Sequence, residues 1–269
     1  MHTESIARMI EGLAARKEAT GREVYFIHTA GTGSLADRPI TRAIVEDRVF
    51  SDKSDNIYEY IKKRQELEDI PVRRSDVTIV EHGRALNVPT FILMSPLIYG
   101  TGTGYFNRRS IQIPYMARAA VKARHAEVVA DGAARWGNIH IKDLASLYEV
   151  LIARVLQGDP VASGEQGIYF TMSGEHAWRD IVAGIAREGY ALGVFEDDTV
   201  KSISLQEAGN KWMGGNVAFA ELVFCSKEFA TSCDWLVHAV VDKYGWTPKC
   251  GDDHVQTTIA EEFECALAQ

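Results

Sequence analysis

The sequence predicts an α/β fold: a parallel sheet covered by helices, with a smaller helical lobe attached. Three observations predict it. Apolar strand-like runs alternate with helical segments through the first two-thirds of the chain. The runs Val24–Ile27, Pro89–Met94 and Gly167–Thr171 are continuously apolar, as strands buried on both faces are. The remainder is richer in helical spacing, with short strands between.

The elements follow in order. Ile6, Met9, Ile10 and Leu13 recur at helical spacing over residues 3–17, and Gly21 ends that helix. The first strand runs into His28-Thr-Ala-Gly-Thr-Gly33, and residues 34–56 are charged and irregular. Residues 57–68 read as a helix. Pro71 opens another, to about Leu86, because proline suits the first helical turn. After the second strand comes a loop rich in glycine, GTGTGYF, and a helix from Pro114 to about His125. Asp131-Gly132 marks a tight turn between Val128 and Ile141. From about Asp143, Leu144, Leu147, Tyr148, Leu151 and Val155 form an apolar helical stripe. Trp178, Ile181, Val182 and Ile185 do the same near 176–190, and Ser204-Leu-Gln-Glu207 is a capping box.

Composition narrows the function. The chain has 269 residues and a net charge of -8, whereas a phosphate-neutralising groove shows a basic excess. Nucleic acid is therefore not an expected partner. No run approaches the roughly 18 apolar residues of a membrane span, and the N-terminus has no signal or transit pattern, so the expected location is the cytoplasm. Cys225, Cys233, Cys250 and Cys265 make no C-x-x-C pair and no zinc-like His/Cys spacing. The expectation is reduced structural thiols and no metal site.

Gly31-Thr-Gly33-Ser-Leu-Ala36 matches G-x-G-x-x-A after a strand, a pattern that can cradle a pyrophosphate at a helix N-terminus. Here Asp37-Arg-Pro39 follows, and Pro39 would interrupt the helix such a loop requires. No second strand ends in the acidic residue that reads a ribose. The segment reads instead as a loop at the strand end.

Three segments in order, VYFIHTAGTG, TFILMSPLIYG and WGNIHIKDLASLY, with a weaker fourth, YGWTPK, resemble the extended or atypical short-chain dehydrogenase/reductases, the NAD-dependent epimerase/dehydratase-like group. The likeness covers roughly residues 5–250 and is nearest to fungal members. It implies a Rossmann-like sheet over residues 1–105 and 128–171, with a substrate lobe and C-terminal helices over 106–127 and 172–269. The family carries its G-x-x-G-x-x-G loop well before the first of these segments. The resemblance therefore implies that the first strands of the sheet, with the phosphate loop and ribose-reading acid, are missing from this chain.

What the resemblance implies for the site is specific. The cofactor is NAD or NADP, with Gly31, Pro96, Ile98 and Tyr99 along the nicotinamide. Thr29 or Thr32 stands where the family's catalytic hydroxyl sits. The family's Tyr-x-x-x-Lys pair, in which the ammonium favours the phenolate, has two registers here. Tyr58 and Lys62 supply the residues, but the helix starting at Pro71 fits the family's length better and offers Val72 and Asp76. Asn107, Gln112, Tyr115 and Trp136 are placed to face a substrate, and Arg108 and Arg109 could pair an anion. His28 reads as structural. Asp143 is expected to cap its helix, with His140 packing beneath the loop. The implied function is an NAD(P)-dependent oxidoreductase, epimerase or dehydratase acting on a small carbonyl or alcohol compound; a homodimer is compatible with it. The alternative is a binding or regulatory protein, or a cofactor-free lyase, isomerase or cyclase, that has lost the phosphate loop.

Overall fold

The computed structural model describes residues 3–46, 48–226, 230–232, 246–251 and 254–268. Cys233, Tyr244 and Gly245 fall outside them. The chain is α/β with parallel sheets, as expected. The first sheet has the order β1-β3-β7 and is parallel throughout: β1 is Phe26–Gly31, β3 Thr90–Ser95 and β7 Ile168–Phe170. A second sheet has the order β4-β6-β8, with β4 (Leu97–Tyr99) parallel to β6 (Arg135–His140), and β6 antiparallel to β8 (Gly174–Ala177). Two further, separate parallel pairs lie among the described residues: β5 (Ala126–Val129) with β9 (Val200–Ile203), and β2 (Phe50–Ser51) with β10 (Ala230–Ser232).

The helices α1 (Thr3–Thr20), α2 (Ile57–Leu67) and α3 (Pro71–Ala85) cover one face of the first sheet, and α5 (Ile141–Gln157) covers the other. β3 shows why the run between Pro89 and Met94 is apolar without alternation. Side chains point to opposite faces along a strand: Ile92 and Met94 pack with Ile6, Ile10, Ile79 and Val80, while Phe91 and Leu93 pack with Leu147, Leu151 and Val155. Burying each such side chain contributes about 1.5–3 kcal/mol. A larger apolar cluster joins α4 (Gln112–Ala123), β5, α6 (Trp178–Ala191), α7 (Leu205–Trp212), α8 (Val217–Phe224) and α9 (His254–Leu267).

Local signals act where the sequence places them. Pro71 is at the first turn of α3. The Asn56 side chain caps α2, and Ser204 and Glu207 form the capping box of α7. Gly158 ends α5 at φ 76°, a left-handed conformation that glycine adopts without a Cβ clash. Two boundaries differ from expectation. β1 runs on to Gly31 because its ladder with β3 continues from Phe26–Thr90 to Gly31–Ser95. Residues 174–177 form β8 before α6 begins, since Trp136 and His176 are paired across the β6–β8 ladder. The expected boundary at 127/128 falls inside β5, whose partner β9 lies in the C-terminal part of the chain.

Candidate functional site

In a parallel sheet the loops after the strands' C-terminal ends gather at one edge, where such folds take ligands. Here the β1 ladder ends by placing Gly31 beside Ser95. Thr32–Ser34 then forms a single 3-10 turn, with no helix following it. A pyrophosphate therefore finds no helix N-terminus behind Gly31-Thr-Gly33. The turn nevertheless has room in front of it: a Cβ on Gly33 would meet no atom within 4 Å. Beside it, the segment after β3 is nearly all buried. Pro96, Leu97 and Tyr99 lie inside, and Ile98 is half-exposed.

The candidate hydroxyls separate. Thr32 is buried at the strand end and its Oγ1 donates to the Ser95 carbonyl at a long 3.5 Å. Ser95 in turn accepts from the Thr171 hydroxyl at 3.0 Å. Thr29 lies further back on β1, exposed, with its hydroxyl bonded to that of Tyr148 on α5. The two threonines do not act on one point.

Tyr58 and Lys62 do meet one another, on α2: the ammonium lies 3.4 Å from the phenol oxygen. Glu81 of α3 accepts from both, at 3.2 Å from Tyr58 and 2.9 Å from Lys62. Burial raises the phenol's pKa, and the Glu81 bond raises that of the ammonium. The pair is a neutralised strut between α2 and α3, and its phenol stays protonated. The residues of the other register lie at the strand end. Asp76, one turn into α3, accepts a 2.6 Å bond from Ser34. It is fully buried, and burial pushes its carboxyl up to about 7. Arg73, equally buried, donates to the carbonyls of Ser34, Arg64 and Glu68 at 3.0 Å each, and burial holds its guanidinium down at about 10. Val72 supplies no phenol.

Of the expected substrate residues, Gln112 donates to the Val223 carbonyl at 2.9 Å, and Tyr115 to that of Trp212. Both polar groups are thus used in joining α4 to the C-terminal helices. Trp136 is buried against Trp178, 6.0 Å between ring centroids. Asn107 sits at φ 46° in an exposed loop closed at its base by Gly102 N–H to the Arg108 carbonyl, 2.7 Å. Arg108 and Arg109 are bonded to Gly102 and Glu262. His28 stacks on Phe26, and burial lowers its pKa. A polar concavity of about 320 Å³, lined by Asp52, Asn56, Glu165 and Gln166, lies by Ile168, at the opposite end of β7 from Thr171.

The end of β6 holds what the sequence reading missed. His140, rather than Asp143, caps α5: its Nδ1 accepts the Lys142 N–H at 3.2 Å. The Asp143 carboxylate instead reaches across to the C-terminal segment and accepts the N–H groups of Lys249 and Cys250, at 2.9 and 3.0 Å. This brings the ligand atoms of His140, Cys250 and His254 within 4.8 Å of one another. The sequence reading passed over this grouping: Cys250 and His254 stand four residues apart, but more than a hundred residues separate them from His140. Tyr99 borders it, 5.1 Å from the His140 ring and 6.1 Å from that of His254.

No protein-family model matches the chain. Among solved structures, it superposes on dTDP-glucose 4,6-dehydratase from Bacillus anthracis in complex with NAD, with a TM-score of 0.59 and 12% identity, over 98% of this chain and 66% of that one. This is the fold of the extended short-chain dehydrogenase/reductases. UDP-glucuronic acid 4-epimerase from Bacillus cereus, solved with UDP-glucuronic acid and NAD, gives 0.56 at 9% identity, over 98% of this chain and 66% of that one. RMD from Pseudomonas aeruginosa, complexed with NADPH, gives 0.51 at 14%, over 95% and 72%. A curated sequence, "Oxidase ucsJ" of Acremonium sp, is 26% identical over 223 residues, 78% of this chain and 62% of that protein. The chain therefore spans less than two-thirds of the length of this relative and of the first two dehydrogenase/reductase-fold structures. Among the described residues no helix is long and apolar enough to cross a membrane.

Proposed function

We propose that the chain forms the substrate-facing part of an NAD(P)-dependent oxidoreductase acting on a small carbonyl or alcohol compound. The observation that carries this reading is the strand-end arrangement, in which Gly31–Ser34 and Ser95–Tyr99 lie side by side at the edge where this fold takes its ligands. The oxidase name of the fungal relative supports the reaction class.

The fit to a dinucleotide is partial. The nicotinamide end suits the residues present in part: Gly33 leaves open space and the half-exposed Ile98 offers apolar surface, with Pro96 and Tyr99 buried behind it. The phosphate end is not supplied by Gly31–Ala36, which lacks the helix. When bound, the nicotinamide supplies or accepts the hydride. This chain's part is to hold the substrate oxygen. Thr32 does so by turning its hydroxyl from the distant Ser95 carbonyl to the substrate, because a 3.5 Å bond holds it weakly. Tyr58 and Lys62 take no part, since Glu81 already satisfies both.

The test is calorimetric titration of NADH and NADPH into the protein, followed by a panel of small ketones and aldehydes with nicotinamide absorbance as the readout. Saturable binding and carbonyl-dependent oxidation are expected, with Thr32→Val lowering turnover by roughly 10–100-fold. Heat-silent titrations with both dinucleotides would overturn the reading. Substrate loss with no nicotinamide signal would replace it with the cofactor-free alternative.

A further inference from the structure

We propose that His140, Cys250 and His254 bind a divalent transition metal of the zinc class, through two imidazoles and one thiolate, with a fourth position open. Nothing in this depends on nicotinamide chemistry.

The donor set is the first ground. Imidazole nitrogen and thiolate sulfur are what zinc selects over oxygen-seeking cations, and three protein ligands leave the fourth tetrahedral position for water or substrate. Bonds of about 2.0–2.3 Å put tetrahedral neighbours roughly 3.4–3.7 Å apart. The three ligand atoms already lie within 4.8 Å, so rotations of about 1 Å close the shell.

Positioning is the second ground. His140 ends β6 and is buried beneath Gly100, whose φ of 89° and missing Cβ let the backbone lie against the ring; a Cβ there would come within 2.3 Å of Nε2. Asp143 fixes the other side. Both its oxygens hold backbone N–H groups, one of them that of Cys250 itself, so a buried carboxylate sits behind the thiol and favours a cation in front. His254 opens α9 four residues after Cys250, close enough to share one ion, with Gly251-Asp252-Asp253 between them in sequence. Its ring centroid is 4.9 Å from that of His140. On binding, the Cys250 S–H bond breaks, an S–metal bond forms and the proton leaves to solvent.

The His140 geometry supplies a signature. Its Nδ1 now accepts the Lys142 N–H. A metal on Nδ1 displaces that bond directly. A metal on Nε2 forces the ring proton onto Nδ1 and breaks it too. Either way the Lys142 amide loses its acceptor.

The experiment uses the whole chain, stripped with a chelator and titrated with Co²⁺ as the optical probe, then with Zn²⁺ in competition. One equivalent of Co²⁺ is expected to give a thiolate-to-cobalt charge-transfer band that Zn²⁺ abolishes, and the Lys142 amide resonance is expected to move. Cys250→Ser removes the band and Cys265→Ser keeps it. His254→Ala, at an exposed position, weakens affinity by on the order of 100-fold or more and leaves the Lys142 resonance in place at the same metal concentration. A folded chain with no band overturns the site. So does a band that survives Cys250→Ser, or His254→Ala binding as tightly as the parent, which would mean an adventitious ion only.

Discussion

Two polar clusters lie near the strand ends and use their groups in opposite ways. Behind β1, Ser34, Arg64, Arg73 and Asp76 are buried and mostly bonded inward: Arg73 to three carbonyls, Arg64 to the Ala36 carbonyl and the Tyr60 hydroxyl, Ser34 to Asp76. Beyond β4 and β6, His140, Cys250 and His254 converge with their ligand atoms towards each other and one of them exposed. In the first arrangement most of the donors are committed to the protein's own carbonyls and side chains, as charges that serve the fold are. The second leaves donor atoms for something else to bind. What separates a structural from a functional polar cluster here is whether backbone carbonyls have already taken its donors.

The comparison can be broken at several points. The largest effect is expected from Arg73→Ala. It strips three carbonyls of their donor in a buried site and should lower unfolding free energy in urea by about 3–5 kcal/mol; a loss under 1 kcal/mol would show the first cluster to be dispensable. Asp76 comes next. Its carboxyl is raised from the usual 3.8 to about 7 by burial, so the folded state holds a proton that the unfolded state releases. Its contribution is complete below about pH 4 and is lost as pH rises through about 7, by roughly 4 kcal/mol at most. Unfolding free energies measured from pH 4 to 8 should therefore fall relative to those of Asp76→Asn, and parallel curves would refute the buried neutral acid.

Asp143→Ala is expected to cost about 2–4 kcal/mol, because two N–H groups lose a charged acceptor. Hydrogen exchange should localise the loss to the Lys249 and Cys250 amides, and a change spread evenly over the chain would contradict the clamp. The smallest effect belongs to Tyr58→Phe. Removing one hydrogen bond to Glu81 costs about 0.5–1 kcal/mol, and turnover should stay unchanged. A fall of 100-fold or more would restore Tyr58 as the general acid–base group.

Much of the fold was legible because its signals are local. Pro71 and the Ser204–Glu207 box act within one turn of chain, and the apolar run before Ser95 announces a doubly covered strand without any knowledge of what covers it. The ordered segments around Thr29, Ser95 and Asp143 were enough to name the fold. The site was less legible. Tyr58-x-x-x-Lys62 has the right residues at the right spacing, and only the position of Glu81, on another helix, neutralises it. Gln112 and Tyr115 follow a plausible substrate loop and Trp136 a turn, yet the contacts that occupy them come from residues about 40 to 110 positions away.

The sequence by itself determined the alternation of strands and helices, the caps and the burial of the central strand, since periodicity and backbone preference act between near neighbours. Only the tertiary structure decided which polar residues meet. It gave His140 the capping role expected of Asp143, turned Asp143 to the C-terminal segment, set Asp76 under Ser34, and carried Cys250 and His254 to the end of β6. Such meetings depend on how α9 packs on α4 and α6 and on where β4 and β6 end, and no spacing along the chain records a distance across it.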